Sequence, residues 1–221
     1  MDAYPDPIPP ETLARFRVPL RLIFWGGLLC LFDFWFTSGS KRSGFKLDIL
    51  NDFVGMILIT VGVFRIVAAM PPGKERRTLN LIGTVAVFST LAAFLGHLVF
   101  EHPEPLSWAL SILSLAELWA ILVFCAIMGS ACRHGGLDAA SRSWNTTFVL
   151  FFVIYLIPLG FFHLAALVAM GTRSEFRIDL GPAGLLLLPV FFWPMVHFFV
   201  STSRMARAVP GPADSRTLQE S

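Results

Sequence analysis

The sequence predicts an all-α membrane protein: a six-transmembrane-helix bundle with both termini in the cytoplasm. Three observations predict it. Six long apolar stretches run through the 221 residues. Each is close to the roughly 20 residues that a helix needs to cross a hydrocarbon core about 30 Å thick. Hydrophobic residues make up 55% of the chain and charged residues only 14%, against about 25% charged in ordinary soluble domains. Nearly every ionisable residue falls between the apolar stretches rather than within them.

Taken in order, the elements begin with an acidic, proline-rich start, Met1 to Pro10. It lacks the basic opening and small-residue cleavage site of a secretory signal, so the first apolar run is expected to be retained. Pro10 suits the first turn of a short helix over 10–17 (PETLARFR), because proline there gives up only an N–H that has no intrahelical partner anyway. The spans are expected at 18–36, 52–70, 79–100, 106–129, 147–169 and 183–203. Residues 1–17 then form a cytoplasmic N-terminal segment and 18–203 the transmembrane domain. Residues 204–221, polar and carrying Pro210 and Pro212, read as a disordered cytoplasmic tail. No separate soluble domain fits between these elements.

Orientation comes from Lys and Arg in the short connections, which concentrate on the cytoplasmic side. With both ends inside, eleven basic residues lie inside and five outside. Arg65 sits within the second span and reaches inward. The 101–105 loop, EHPEP, carries no Lys or Arg and fits the outside; the first outer loop, with Lys41, Arg42 and Lys46, runs against the trend. Arg outnumbers Lys fourteen to three, a composition that hints at a GC-rich bacterial genome, and the expected location is a bacterial inner membrane.

Local signals refine the picture. Asn51 and Asp52 are positioned to cap the second span, and Pro182 suits the first turn of the sixth. Gly55 and Gly62 fall on one helix face and permit close helix packing. Residues 43–49 (SGFKLDI) echo 174–180 (SEFRIDL), both alternating apolar with charged residues. A period of two suits extended backbone, so a pair of short extended segments is expected on the outer face. Cys30, Cys125 and Cys132 have neither disulfide nor zinc spacing and read as small packing residues.

The stretch 31–66 resembles a family of small multi-pass bacterial membrane proteins that has no assigned activity. The resemblance is carried by Phe32, Asp33 and Phe34 at the end of the first span. It continues through Asp48, Ile49, Leu50, Asn51, Asp52, Phe53, Val54 and Gly55 at the start of the second, with Asn51 where the family has proline. It implies membrane placement and no particular chemistry.

Charged groups inside a membrane are costly and mark functional candidates. Glu117 falls near the middle of the fourth span, and Ser107, Ser111 and Ser114 precede it at helical spacing. Glu117, with Ser111 and Ser114, is the candidate proton- or ion-binding group; the alternative is a carboxyl hydrogen-bonded between helices. Asp33, His97 and His163 fall in the outer halves of spans one, three and five, close to Asp48 and Asp52 and to the loop acids Glu101 and Glu104. These are ligand types for a divalent metal, but no two have a diagnostic spacing. His197 lies in the inner half of the sixth span, at a different depth from His97 and His163, which argues against a shared haem. Pro158, Pro189 and Pro194 break backbone hydrogen bonds in the last two spans.

The sequence holds no Ser-His-Asp set, no HExxH and no phosphate-binding glycine loop. Its basic residues are scattered, which points away from nucleic acid. The expected function is a non-enzymatic subunit or scaffold whose partners are the bilayer and other membrane proteins. The alternatives are a small proton- or cation-coupled transporter using Glu117, and a metal-binding membrane enzyme using the outer-face cluster. Nothing in the pattern selects a cofactor.

Overall fold

A computed structural model describes residues 8–31, 49–98, 104–172 and 183–208. Among these residues every regular element is helical: α1 (Pro10–Ala14), α2 (Arg17–Leu31), α3 (Ile49–Ala69), α4 (Lys74–Leu98), α5 (Glu104–His134), α6 (Asp138–Phe151), a π-helical turn (Phe152–Leu156), α7 (Ile157–Thr172) and α8 (Ala183–Ala208). Three stretches are long and apolar enough to cross a membrane: Lys74–Phe94, Ile112–His134 and Asp138–Phe162. Phe53–Ala69 is a shorter apolar helix. Only 12% of the apolar window in Asp138–Phe162 is buried within the protein, and Phe161, Leu164, Val168 and Val153 are each more than half exposed. So much apolar surface turned outward is what a lipid-facing helix carries and what a water-facing one avoids.

The chain divides into two compact units. In the unit of residues 15–103, α3 packs against both α2 and α4. Glycine makes the first contact close. A Cβ added at Gly26 would stand 2.5 Å from the Gly55 carbonyl oxygen, and one at Gly62 would meet Ile23 at 2.6 Å and the Pro19 carbonyl at 2.9 Å. The face read from Gly55 and Gly62 is therefore the one that meets α2, where small residues let backbones approach within van der Waals contact. The α3–α4 contact is held by Thr60 and Thr90, whose hydroxyl oxygens lie 3.1 Å apart, and by the rings of Phe53 and Phe94.

In the unit formed by residues 1–14 and 104–221, α5 and α6 make a tight antiparallel hairpin. The expected loop between spans, 130–146, is almost wholly helix: α5 runs on to His134 and α6 begins at Asp138. The reason is a helix-ending turn. Gly136 adopts φ +71°, which glycine enters without the Cβ penalty. The Gly136 N–H then donates to the Arg133 carbonyl and the Leu137 N–H to the Cys132 carbonyl, the paired bonds of a Schellman motif. Arg133 and His134 sit at the negative end of α5, and Asp138 at the positive end of α6, where each charge is favoured. Leu13 of α1 is fully buried and rests on Gly135 of this turn.

Three further features differ from the sequence reading. Helix α3 starts at Ile49, so Asn51 and Asp52 occupy its first turn instead of its capping position. Ile49 itself is helical; the remainder of the 43–49 segment and all of 174–180 lie outside the described residues. Helix α8 continues to Ala208, with Met205 and Ala206 buried, so the tail cannot begin at 204. Between α6 and α7 there is a register change: the Ile157 N–H reaches the Phe152 carbonyl, five residues back. Pro158 accounts for this, since its ring and missing N–H forbid the ordinary bond to Ile154, and a π turn absorbs the misfit.

Candidate functional site

The sequence-derived candidates are only partly brought into view. Glu117 lies on α5 within Ile112–His134 and is half-buried, with no hydrogen-bond or ion-pair partner among the described residues. Ser114 turns its hydroxyl back to the Leu110 carbonyl of its own helix, at 3.1 Å, and so does not serve Glu117 as a donor. Ser111 is on the same helix. Asp52 is on α3, His97 on α4 and His163 on α7, and the side chains of these three and of Ser111 are outside the described residues. Asp33 and Asp48 lie outside them altogether. Among the described residues no group of three His, Cys, Asp or Glu is placed to hold a metal ion.

What the structure does assemble is a polar network between α6 and α8. Ser143 and Thr147 recur one turn apart on α6, as do His197 and Ser201 on α8, with Arg204 one turn further on. The Ser143 and Ser201 hydroxyls lie 2.8 Å apart, the Ser201 and Thr147 hydroxyls 2.8 Å apart, and Thr147 Oγ1 is 2.8 Å from His197 Nδ1. Thr147 also faces the Ser143 carbonyl at 3.1 Å, and Arg204 Nη1 donates to Ser143 Oγ at 3.5 Å. Ser143, Thr147 and Ser201 are buried.

A hydroxyl has one proton to give and two lone pairs to accept with. One assignment satisfies the whole chain. Arg204 donates to Ser143, Ser143 to Ser201, Ser201 to Thr147, and Thr147 to the Ser143 carbonyl. His197 with its proton on Nδ1 then donates to the remaining lone pair of Thr147. On the other side of α6, the Ser141 hydroxyl donates to the Gly129 carbonyl of α5 at 2.9 Å. Helix α6 is thus tied by side-chain hydrogen bonds to both of its neighbours.

An aromatic cluster closes over the network. Trp144 is fully buried and stands edge-on to Phe124 at 5.9 Å and to Phe198 at 5.5 Å between ring centres. Phe151 meets Phe198 in the same geometry. The Trp144 indole nitrogen is buried with no hydrogen-bond partner among the described residues. Thr147 is wholly enclosed, so no substrate can reach the hydroxyl nearest the imidazole. The arrangement clamps helices together and does not present a nucleophile.

Among these residues the sequence reading had singled out only His197. The signal for the rest was present: Ser143-x-x-x-Thr147 and His197-x-x-x-Ser201 each place polar groups on one helix face. Replacing Thr147 with valine keeps the shape and deletes the shared hydroxyl. We expect a loss of about 1–2 kcal/mol, between the modest average of interhelical bonds in membranes and the cost of orphaning buried partners. In a thermal-unfolding double-mutant cycle, Thr147→Val and Ser201→Ala should be non-additive; strict additivity would show that the two hydroxyls act independently.

Among the described residues, the fold and this site define a helical protein with three stretches long and apolar enough to span a membrane, whose buried hydroxyls join helix to helix. No family model, curated protein or solved structure matches the chain.

Proposed function

We propose that the chain is a six-span protein of a bacterial inner membrane, with both termini cytoplasmic, acting as a non-enzymatic subunit or scaffold through contacts with other membrane proteins. The observation that carries this reading is the use of the polar groups between α6 and α8. Ser143, Thr147, His197 and Ser201 are consumed in joining α6 to α8. A hydrogen-bonded clamp of this kind fixes helix register in a setting where lipid gives helices no hydrophobic reason to associate. The many exposed apolar side chains, among them Trp193, Phe88 and Phe161, suit both lipid and flat helix–helix contacts.

Native mass spectrometry of the protein released from its own membrane in mild detergent tests the proposal. Masses above 24.5 kDa that include other polypeptides are expected. A mass of 24.5 kDa or its simple multiples, and nothing else under the gentlest conditions, would count against it.

One observation favours a second reading, a proton- or cation-coupled transporter. Glu117 is half-buried in the middle of an apolar helix without a partner among the described residues, and an intramembrane carboxyl of that kind often marks an ion path. On that reading Glu117→Gln, which keeps the shape and removes the ionisable group, abolishes proton- or cation-dependent flux in reconstituted vesicles. Unchanged flux, or no flux in the parent protein, rejects it.

A further inference from the structure

The turn from α3 to α4 reads Met70-Pro71-Pro72-Gly73. A proline disfavours helical backbone in the residue before it, and α3 accordingly stops at Ala69. The chain then re-enters helix at Lys74, bringing Arg76 and Arg77 into the first turns of α4. The Arg77 N–H donates to the Gly73 carbonyl, which ties the turn to the helix. Beside it opens a cavity of about 380 Å³, lined by Val67, Pro72, Gly73, Arg76, Arg77 and Asn80. That volume lies within the range of small-molecule sites, about 300–1,000 Å³.

The lining has two chemistries. Arg76 and Arg77 offer guanidinium forks that match a phosphate oxygen pair, and Asn80 adds a carboxamide. Val67 and Pro72 form an apolar wall. Residues 70–80 carry Lys74, Arg76 and Arg77 against Glu75 alone, so the segment has excess positive charge. Its depth is equally particular: the arginines stand at the very end of the apolar stretch Lys74–Phe94, where a spanning helix meets the headgroup layer. Just beyond Asn80, Leu81 is exposed on α4, which continues the apolar surface toward the membrane interior.

We propose that this cavity binds the headgroup of an anionic phospholipid, with Arg76 and Arg77 holding the phosphodiester, Asn80 the polar group beyond it, and Val67 and Pro72 covering the glycerol end. A free phosphate would leave the apolar wall uncovered; a lipid fills both parts of the site. The proposal rests on α4 crossing the membrane, which is tested separately below.

Native mass spectrometry of the full chain in a neutral detergent, titrated with dioctanoyl phosphatidylglycerol or dioctanoyl phosphatidylcholine, reads the site directly. One phosphatidylglycerol is expected to bind in preference to phosphatidylcholine. The double variant Arg76→Gln with Arg77→Gln should bind it about thirtyfold more weakly, at roughly fivefold per basic residue near a membrane surface. Both arginines are exposed and glutamine is a good helix former, so the variant keeps its fold. Arg133→Gln with Arg142→Gln, which removes two cations outside the cavity, should bind as the parent does. Equal binding by the Arg76/Arg77 variant, or equal binding of the two lipids, overturns the proposal. Displacement of the lipid by inorganic phosphate at the same concentration also overturns it and assigns the cavity to a soluble phosphate. Resistance of parent and variants to alkaline carbonate extraction tests membrane insertion independently of lipid choice.

Discussion

Valine at Gly26 forces α2 away from α3. The first added carbon would lie 2.5 Å from the Gly55 carbonyl oxygen and 2.9 Å from Ile59 Cγ1. The nearer obstacle is backbone in the middle of a helix, so it cannot rotate aside as a side chain does. Relief requires translating one helix, which opens the contact along its length and also disturbs Gly62, packed against Ile23 and Pro19. We expect a loss of about 3 kcal/mol or more, at the upper end of overpacking effects, measured by thermal or detergent-induced unfolding. Gly73→Ala supplies the control: nothing lies within 4 Å of a Cβ there, and stability should be nearly unchanged. If Gly26→Val unfolds with the parent, α2 and α3 are not in backbone contact and the packing of residues 15–103 described above is incorrect.

Trp144→Ala should be comparably damaging in the other unit. Trp144 is fully buried between Phe124 and Phe198, and truncating an enclosed aromatic leaves a void that stiff neighbours fill poorly. A cost of roughly 3–5 kcal/mol is expected. Trp144→Phe separates packing from hydrogen bonding. The indole nitrogen has no partner among the described residues, and a buried unsatisfied donor costs about 1–3 kcal/mol. Removing it offsets part of the lost volume, so phenylalanine should restore most of the stability. If phenylalanine proves as harmful as alanine, the nitrogen has a partner that matters, and the cluster is organised around it.

The helical segments were legible in the sequence because long apolar runs leave little choice of structure, and Gly55 and Gly62 correctly marked a close-packed face. The connection between α5 and α6 was not. Arg133, Arg142 and a run of small polar residues lower the local hydropathy, which makes the stretch look like a loop. Its periodicity says otherwise: Ala140, Ser143, Trp144, Thr147 and Phe151 are buried at helical spacing. Hydropathy reports where a residue would sit in lipid, whereas the helix here is held by a glycine turn and by hydrogen bonds.

The same distinction explains the site. Sequence reasoning follows charge, and so it settles on Glu117, Asp33, Asp48, Asp52, His97 and His163. The network of Ser143, Thr147, Ser201 and His197 is made chiefly of neutral hydroxyls, which a charge-based search passes over. Whether such groups point into a helix contact or toward lipid depends on which helices are neighbours, and a single sequence does not supply that. Conversely, Arg76 and Arg77 read simply as inner-side charges until the Pro-Pro-Gly turn placed a cavity beside them.

The most direct test of the six-span arrangement is labelling of single introduced cysteines with a membrane-impermeant maleimide. The native thiols of Cys125 and Cys132 are buried and Cys30 is partly buried, which keeps their background reactivity low. Cysteines placed at Ser43, Pro103 and Ser174 should label in intact cells. A cysteine at Gly73, where the turn has open space, should label only after the membrane is permeabilised. Labelling of Gly73→Cys from outside, or protection of any one of the other three, would contradict the arrangement.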